Sequence, residues 1–237
     1  MQYLKKTLRW FGPSFGVSLK DIKELGVFGV VTACHQVPIG EVWSSQIIGE
    51  LKKNESNSLE WSVVESVNIH KAIKYGLPER DIYIRNYIET LKNLAENNIK
   101  VVCYNFMQLI DWTRTSLNYE LPTGVISLLC DPVAIAAFDL FVLKRDRAAE
   151  VYGEPMVQKA EQYCNTIDQQ KHELLKSAIL AGMPGSKLVI ALADFRSTLE
   201  EVSKIKKPVL RENLAYFFKG RYSRSGKAGN KNGITSR

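Results

Sequence analysis

Residues 61–106 read WSVVESVNIHKAIKYGLPERDIYIRNYIETLKNLAENNIKVVCYNF. The two ends, Trp61–Glu65 and Ile99–Phe106, are short runs rich in β-branched and aromatic residues, and they read as strands. Between them Asp81–Asn97 carries apolar residues at Ile84, Ile88, Leu91 and Leu94. Those spacings of four, three and three form one face of a helix. Strands separated by a helix of this length lie parallel and are joined by a crossover.

The same rhythm extends toward the N-terminus. Thr7–Gly12 is a first strand, and Ser18 then caps a helix over Leu19–Leu25 that stops at Gly26. Val27–Ala33 (VFGVVTA) is a second strand of the kind buried on both faces, followed by a helix from about Ser44 to Lys53. Strand and helix alternating at this spacing give an α/β fold with a parallel sheet. A barrel of alternating strands and helices is the first expectation and a doubly wound open sheet the second. No glycine-rich phosphate loop follows the first strand, which lowers the second option.

From Met107 to about Leu192 the rhythm breaks, and the 107–192 segment reads as a helical insertion after the fourth strand. It holds helices over Pro132–Lys144 and about Glu154–Leu180, with a turn at Pro184-Gly185. An insertion of this size suits a lid or an oligomer contact. Helical patterns resume over Asp194–Ile205 and Val209–Lys219 and point toward a fifth strand.

The 237 residues have 45% apolar and 24% charged content, which are globular averages. The net charge of +7 is concentrated in residues 220–237, GRYSRSGKAGNKNGITSR, which hold five Lys or Arg and no acid. Without those five, 27 basic residues face 25 acidic ones, so a nucleic-acid-binding body is not supported. The four cysteines, Cys34, Cys103, Cys130 and Cys164, form neither a zinc pattern nor a disulfide scaffold. No apolar run is long enough for a membrane span, and the N-terminus has no secretory h-region. A reduced, cytoplasmic protein is the expectation.

In a parallel barrel, chemistry gathers where strands end. Here the first strand ends at Arg9-Trp10, the second at Cys34-His35, the third at Glu65-Ser66 and the fourth at Tyr104-Asn105. Arg9 for a carboxylate, Asn105 and Glu65 for hydroxyls, and aromatic faces for a sugar-like chain suit an anionic polyhydroxylated ligand. Arg9, Trp10, His35, Glu65, Tyr104 and Asn105 are therefore the candidate substrate-binding residues. Each also has a plainer reading. Trp10 can be core or loop packing, Arg9 a rim ion pair and His35 a hydrogen-bonded structural histidine. Cys34 and Cys103 lie within apolar runs and read as core.

The words RWFGP (9–13), GEVWS (40–44), WSVVES (61–66), VCYNFM (102–107), DWTRT (111–115), AAFD (136–139), ILAGMPG (179–185) and LRENLAYFF (210–218) occur in that order. Together they resemble the mannonate dehydratase family from about Arg9 to Lys219. The resemblance implies a TIM-like (β/α) barrel, of which residues 1–219 make only about the first half: four parallel strands with helices, plus the insertion. It implies dehydration of D-mannonate to 2-dehydro-3-deoxy-D-gluconate in hexuronate breakdown, with Mn²⁺ or Fe²⁺ as cofactor. An intact family member is expected to be a homo-oligomer with no nucleic-acid or membrane partner. The family's metal ligands (histidines, a cysteine and an aspartate) follow the fourth strand, and none of them maps onto this chain. The alternatives are a non-catalytic half-barrel or another metal-dependent sugar-acid lyase or isomerase.

Residues 220–237 are expected to be a disordered basic tail read out of frame. Asn230–Arg237 can be encoded so that the next frame gives Ile-Lys-Met-Ala-Ser-His-Pro, the fifth strand with the family's first metal-binding histidine. The expectation is a frameshift near Lys219–Gly220 and an inactive product. Codons that cannot yield His-Pro in that frame would rule it out.

Overall fold

The computed structural model describes residues 4–55, 59–108, 113–181 and 190–225. The Asp111-Trp112 pair, the turn expected at Pro184-Gly185 and the tail from residue 226 onward lie outside them. The described residues of Met1–Gln108 and Ile205–Arg237 form one compact unit, and those of Leu109–Lys204 form another. The second unit covers more of the chain than the expected 107–192 insertion, because the helix expected over Asp194–Ile205 belongs to it.

In chain order the first unit contains β1 (Thr7–Arg9), α1 (Leu19–Glu24), β2 (Gly29–Thr32), α2 (Ser45–Glu55), β3 (Glu60–Val64), α3 (Lys71–Tyr75) and α4 (Arg80–Glu96). The strands form a parallel sheet in the order β1-β2-β3, the crossover topology expected from the helices between them. The fourth strand is shorter than expected. It makes one parallel bridge, Val64 to Val102. The Val64 amide donates to the Val101 carbonyl at 2.9 Å and the Cys103 amide to the Val64 carbonyl at 2.8 Å. This segment has a ladder partner on one side only among the described residues, so residues beyond Cys103 leave the pairing.

Register fixes which side chains share a face. Leu8 pairs with Val30 and Arg9 with Val31, while Val31 pairs with Val63 and Thr32 with Val64. Partners in a parallel sheet point the same way, and neighbours along a strand point oppositely. Leu8, Val30 and Val64 pack with Ile22 of α1, Ile48 of α2 and Leu94 of α4 into one core. Arg9, Val31 and Val63 lie on the opposite face, which is only partly covered.

Local chemistry explains the elements. Ser18 and Asp21 form a reciprocal capping box that starts α1. The polar face of α4 holds the loop before α2. Asn86 donates to the Gly40 carbonyl at 2.9 Å, Asn93 donates to the Trp43 carbonyl at 2.8 Å, and Thr90 accepts from the Trp43 amide at 3.1 Å.

In the second unit, β4 (Ser116–Glu120) and β5 (Ile126–Leu129) form an antiparallel hairpin that the expected helical insertion did not include. The helices α5 (Pro132–Ala137), α6 (Ala148–Tyr152), α7 (Glu154–Thr166), α8 (Gln169–Leu180) and α9 (Leu192–Ser203) follow. A π-turn over Phe138–Val142 continues α5. The helix expected over Glu154–Leu180 breaks at Ile167, because the Asp168 carboxylate accepts from the Lys171 amide at 2.8 Å and caps a new helix. Phe138, Leu175, Ile179 and Phe195 form this unit's apolar centre.

The last helix, α10 (Lys207–Ser225), returns to the first unit. Phe217 is fully buried there, edge-on to Tyr87 at 5.0 Å. The helix runs through Gly220, so the boundary expected at Lys219–Gly220 falls inside α10 and not at a change of structure. A Cβ on Gly220 would sit 3.3 Å from the Ile84 side chain, so glycine here permits close approach to α4. No helix among the described residues is long and apolar enough to cross a membrane.

Candidate active site

The C-terminal ends of the parallel strands bring together part of the candidate set. Arg9 ends β1 on the open face. The Glu65 amide donates to the Thr32 carbonyl at 3.1 Å, which seats Glu65 immediately beyond β3. By alternation from Val63, Glu65 points to the same face as Arg9. Burial pulls the Arg9 guanidinium below its ordinary value, and the nearby Glu65 carboxylate and Cys103 sulfur pull it back up. The guanidinium carbon also lies 4.9 Å from the centre of the Phe11 ring. Arg9 Nη1 is buried and finds no hydrogen-bond partner among the described residues. A buried donor left open beside a strand end is costly to the fold unless something else accepts from it.

His35 follows β2 within reach of the Arg9 charge. Its imidazole is held below the usual range, first by partial removal from water and then by that positive neighbour. The residue surface is exposed, so the desolvation is incomplete and Arg9 is the specific influence. Asn105 donates to the Ser66 hydroxyl at 3.3 Å, and the Ser66 hydroxyl donates to the Asn68 side-chain Oδ1 at 3.1 Å. This short relay joins the end of the fourth segment to the loop after β3.

Trp10 and Tyr104 sit on the other side of the sheet. Trp10 is 6% exposed, and its indole N–H donates to the Val17 carbonyl at 3.0 Å. Tyr104 packs edge-on to Phe218 of α10 at 5.1 Å. The alternation that turns Arg9 and Cys103 outward turns their neighbours Trp10 and Tyr104 toward the helices. Cys34 is 1% exposed in the core, whereas Cys103 is half-buried on the open face, near Arg9. Counting by two carries Val30 through Thr32 to Cys34 on the core face and Val101 to Cys103 on the open one. Ser66 and Asn68 carried no such signal, because their link to Asn105 depends on the tertiary fold.

Among the described residues no three His, Cys, Asp or Glu side chains converge on a point where a metal ion could sit. The described residues therefore do not fit a metal centre. What they offer is a cation with an open donor, a carboxylate, a thiol and an amide relay, grouped at the ends of parallel strands.

The model of the D-mannonate dehydratase family matches residues 4–221. The chain belongs to that family. A mannonate dehydratase of a Marinomonas species is 43% identical over 215 residues, covering 90% of this chain and 55% of that relative. One from Chromohalobacter salexigens is 42% identical over 217 residues, covering 91% and 56%. The chain thus spans about half the length of the curated relatives it matches. The crystal structure of a mannonate dehydratase from Streptococcus suis serotype 2 superposes with a TM-score of 0.66 at 30% identity, over 99% of this chain and 53% of that one.

Proposed function

We propose that this chain serves the dehydration of D-mannonate to 2-dehydro-3-deoxy-D-gluconate, a carbon–oxygen lyase reaction of hexuronate breakdown, by supplying the substrate-facing side of the site. The observation that carries the reading is the grouping of Arg9, with its open buried donor, beside Glu65 and Cys103 at the strand ends of a family member. The Arg9 fork suits the sugar-acid carboxylate, because two parallel N–H···O bonds fix both charge and orientation. Glu65 and Asn105 suit the hydroxyls. His35 stands where it can report or adjust the charge beside Arg9.

In this reading the sheet is the opening half of a TIM-like barrel, with residues 101–103 as its fourth strand. The family's Mn²⁺ or Fe²⁺ belongs to ligands other than the described residues. Homo-oligomeric assembly and a cytoplasmic location belong to the same proposal. D-mannonate incubated with the chain and Mn²⁺, followed by detection of the 3-deoxy-2-keto acid, tests it together with a direct binding measurement. Binding without turnover is expected. Turnover abolished by a chelator would overturn the assignment of the chain to substrate binding alone, and absence of any binding would overturn the substrate reading.

A further inference from the structure

We propose that His70 is a proton-sensitive latch, a positioning residue that holds the loop between β3 and α3 against α4 only while its imidazole is neutral. His70 has extended backbone angles at the N-cap of α3, and its Nδ1 accepts the Ala72 amide at 3.2 Å. A backbone amide can only donate, so Nδ1 must present a lone pair and the ring proton resides on Nε2. The ring stacks on Tyr83 of α4, with centroids 3.6 Å apart and planes 18° from parallel. Gly40 abuts both rings: a Cβ there would lie 2.6 Å from Tyr83 and 3.0 Å from His70. One imidazole thus joins α3, α4 and the turn that precedes α2.

The loop it closes carries the rim. Glu65 and Ser66 open it, Val67 and Ile69 are buried, and Ser66 and Asn68 form the relay with Asn105. Protonation of Nδ1 would set an N–H against the Ala72 N–H and remove the cap. The charged groups that act on the ring are Lys71 and Lys74 of α3 and Glu79 ahead of α4, while Tyr83 and Gly40 contribute only packing. Burial, followed by Lys71, disfavours the imidazolium, Glu79 favours it, and Lys74 adds to the opposition. The latch is therefore closed near neutrality and opens on acidification.

The test is an NMR titration of the full chain from about pH 7.5 to about 5, across the ordinary imidazole range. The expected result is an Nε2-protonated His70 at high pH. The Ala72 amide and the side-chain amides of Asn68 and Asn105 should then shift with the His70 midpoint. Exchange of the Ala72 amide, corrected for its intrinsic pH dependence, should accelerate about tenfold on protonation, the worth of a helix cap. His70→Asn keeps a capping oxygen that does not titrate, so it should hold Ala72 protected throughout and flatten both Asn responses. His35→Asn should leave all of these responses in place. A ring protonated on Nδ1, or Ala72 and the Asn amides staying flat while His70 titrates, would overturn the proposal. The wild-type titration decides the question even if His70→Asn fails to fold.

Discussion

Arg9 and Val31 are register partners in the parallel sheet, which sets the Arg9 guanidinium on the face that the helices leave uncovered. That pairing decides the character of the rim. It aligns Arg9 with Glu65 and Cys103, and it sends Trp10 into the core.

Thiol accessibility reports the two faces directly. Cys130 is exposed, Cys103 and Cys164 are half-buried, and Cys34 is buried. A thiol reagent is expected to label Cys130 first, Cys103 and Cys164 more slowly, and Cys34 only when the protein unfolds. Mass spectrometry of time points reads the order, and early labelling of Cys34 would contradict the assigned strand faces.

The Arg9 charge holds down the His35 imidazole, after burial has already lowered it. Arg9→Gln removes that charge, so the His35 midpoint should rise toward the ordinary value. NMR titration of the His35 ring checks this, and an unchanged or lower midpoint would show that the two residues are not coupled.

Acid should weaken the fold. His35 and His70 are both held below the ordinary value of 6.5, so each stays neutral in the folded protein at a pH where the unfolded chain is already protonated. Their contribution is complete above about 6.5 and fades as pH falls through the lower folded values. Denaturant melts of the double variant His35→Asn/His70→Asn should show a smaller loss between neutral pH and pH about 5.5 than the wild type. Equal losses would place the acid sensitivity elsewhere.

Gly40 has a φ of +92°, and a Cβ at this position would meet the Tyr83 ring at 2.6 Å. Gly40→Ala should cost about 1–3 kcal/mol, from backbone strain and overpacking together. Phe217→Ala should cost about 3–5 kcal/mol, because a fully buried ring packed edge-on to Tyr87 is deleted. Urea denaturation measures both, and a loss below about 1 kcal/mol for Phe217→Ala would mean that α10 is not part of the core.

Much of the first unit was legible in the sequence because its signals are local. The Ile84–Leu94 stripe, the Ser18 cap and the valine-rich runs each specify an element without reference to the rest of the chain. What was missed depends on partners. The fourth segment has a complete strand pattern but, among the described residues, a ladder partner on one side only, and it makes a single bridge there. The hairpin around Pro122-Thr123-Gly124 was hidden in an insertion read as helical, although Gly124 at φ +80° and the flanking Leu and Ile residues carried a turn-and-strand signal. Helix α3 is too short for a periodicity to register. In the site, treating each strand end as a group of ligand candidates overlooked the alternation that separates Arg9 from Trp10 and Asn105 from Tyr104.

The most direct test of the account is calorimetric titration of D-mannonate into the wild-type chain, Arg9→Lys and Trp10→Phe. Arg9→Lys keeps the charge but loses the fork, so affinity should fall about tenfold or more, while Trp10→Phe should bind within about twofold of the wild type. Equal affinity in wild type and Arg9→Lys, or a larger loss from Trp10→Phe, would contradict the assignment of the open face to the substrate.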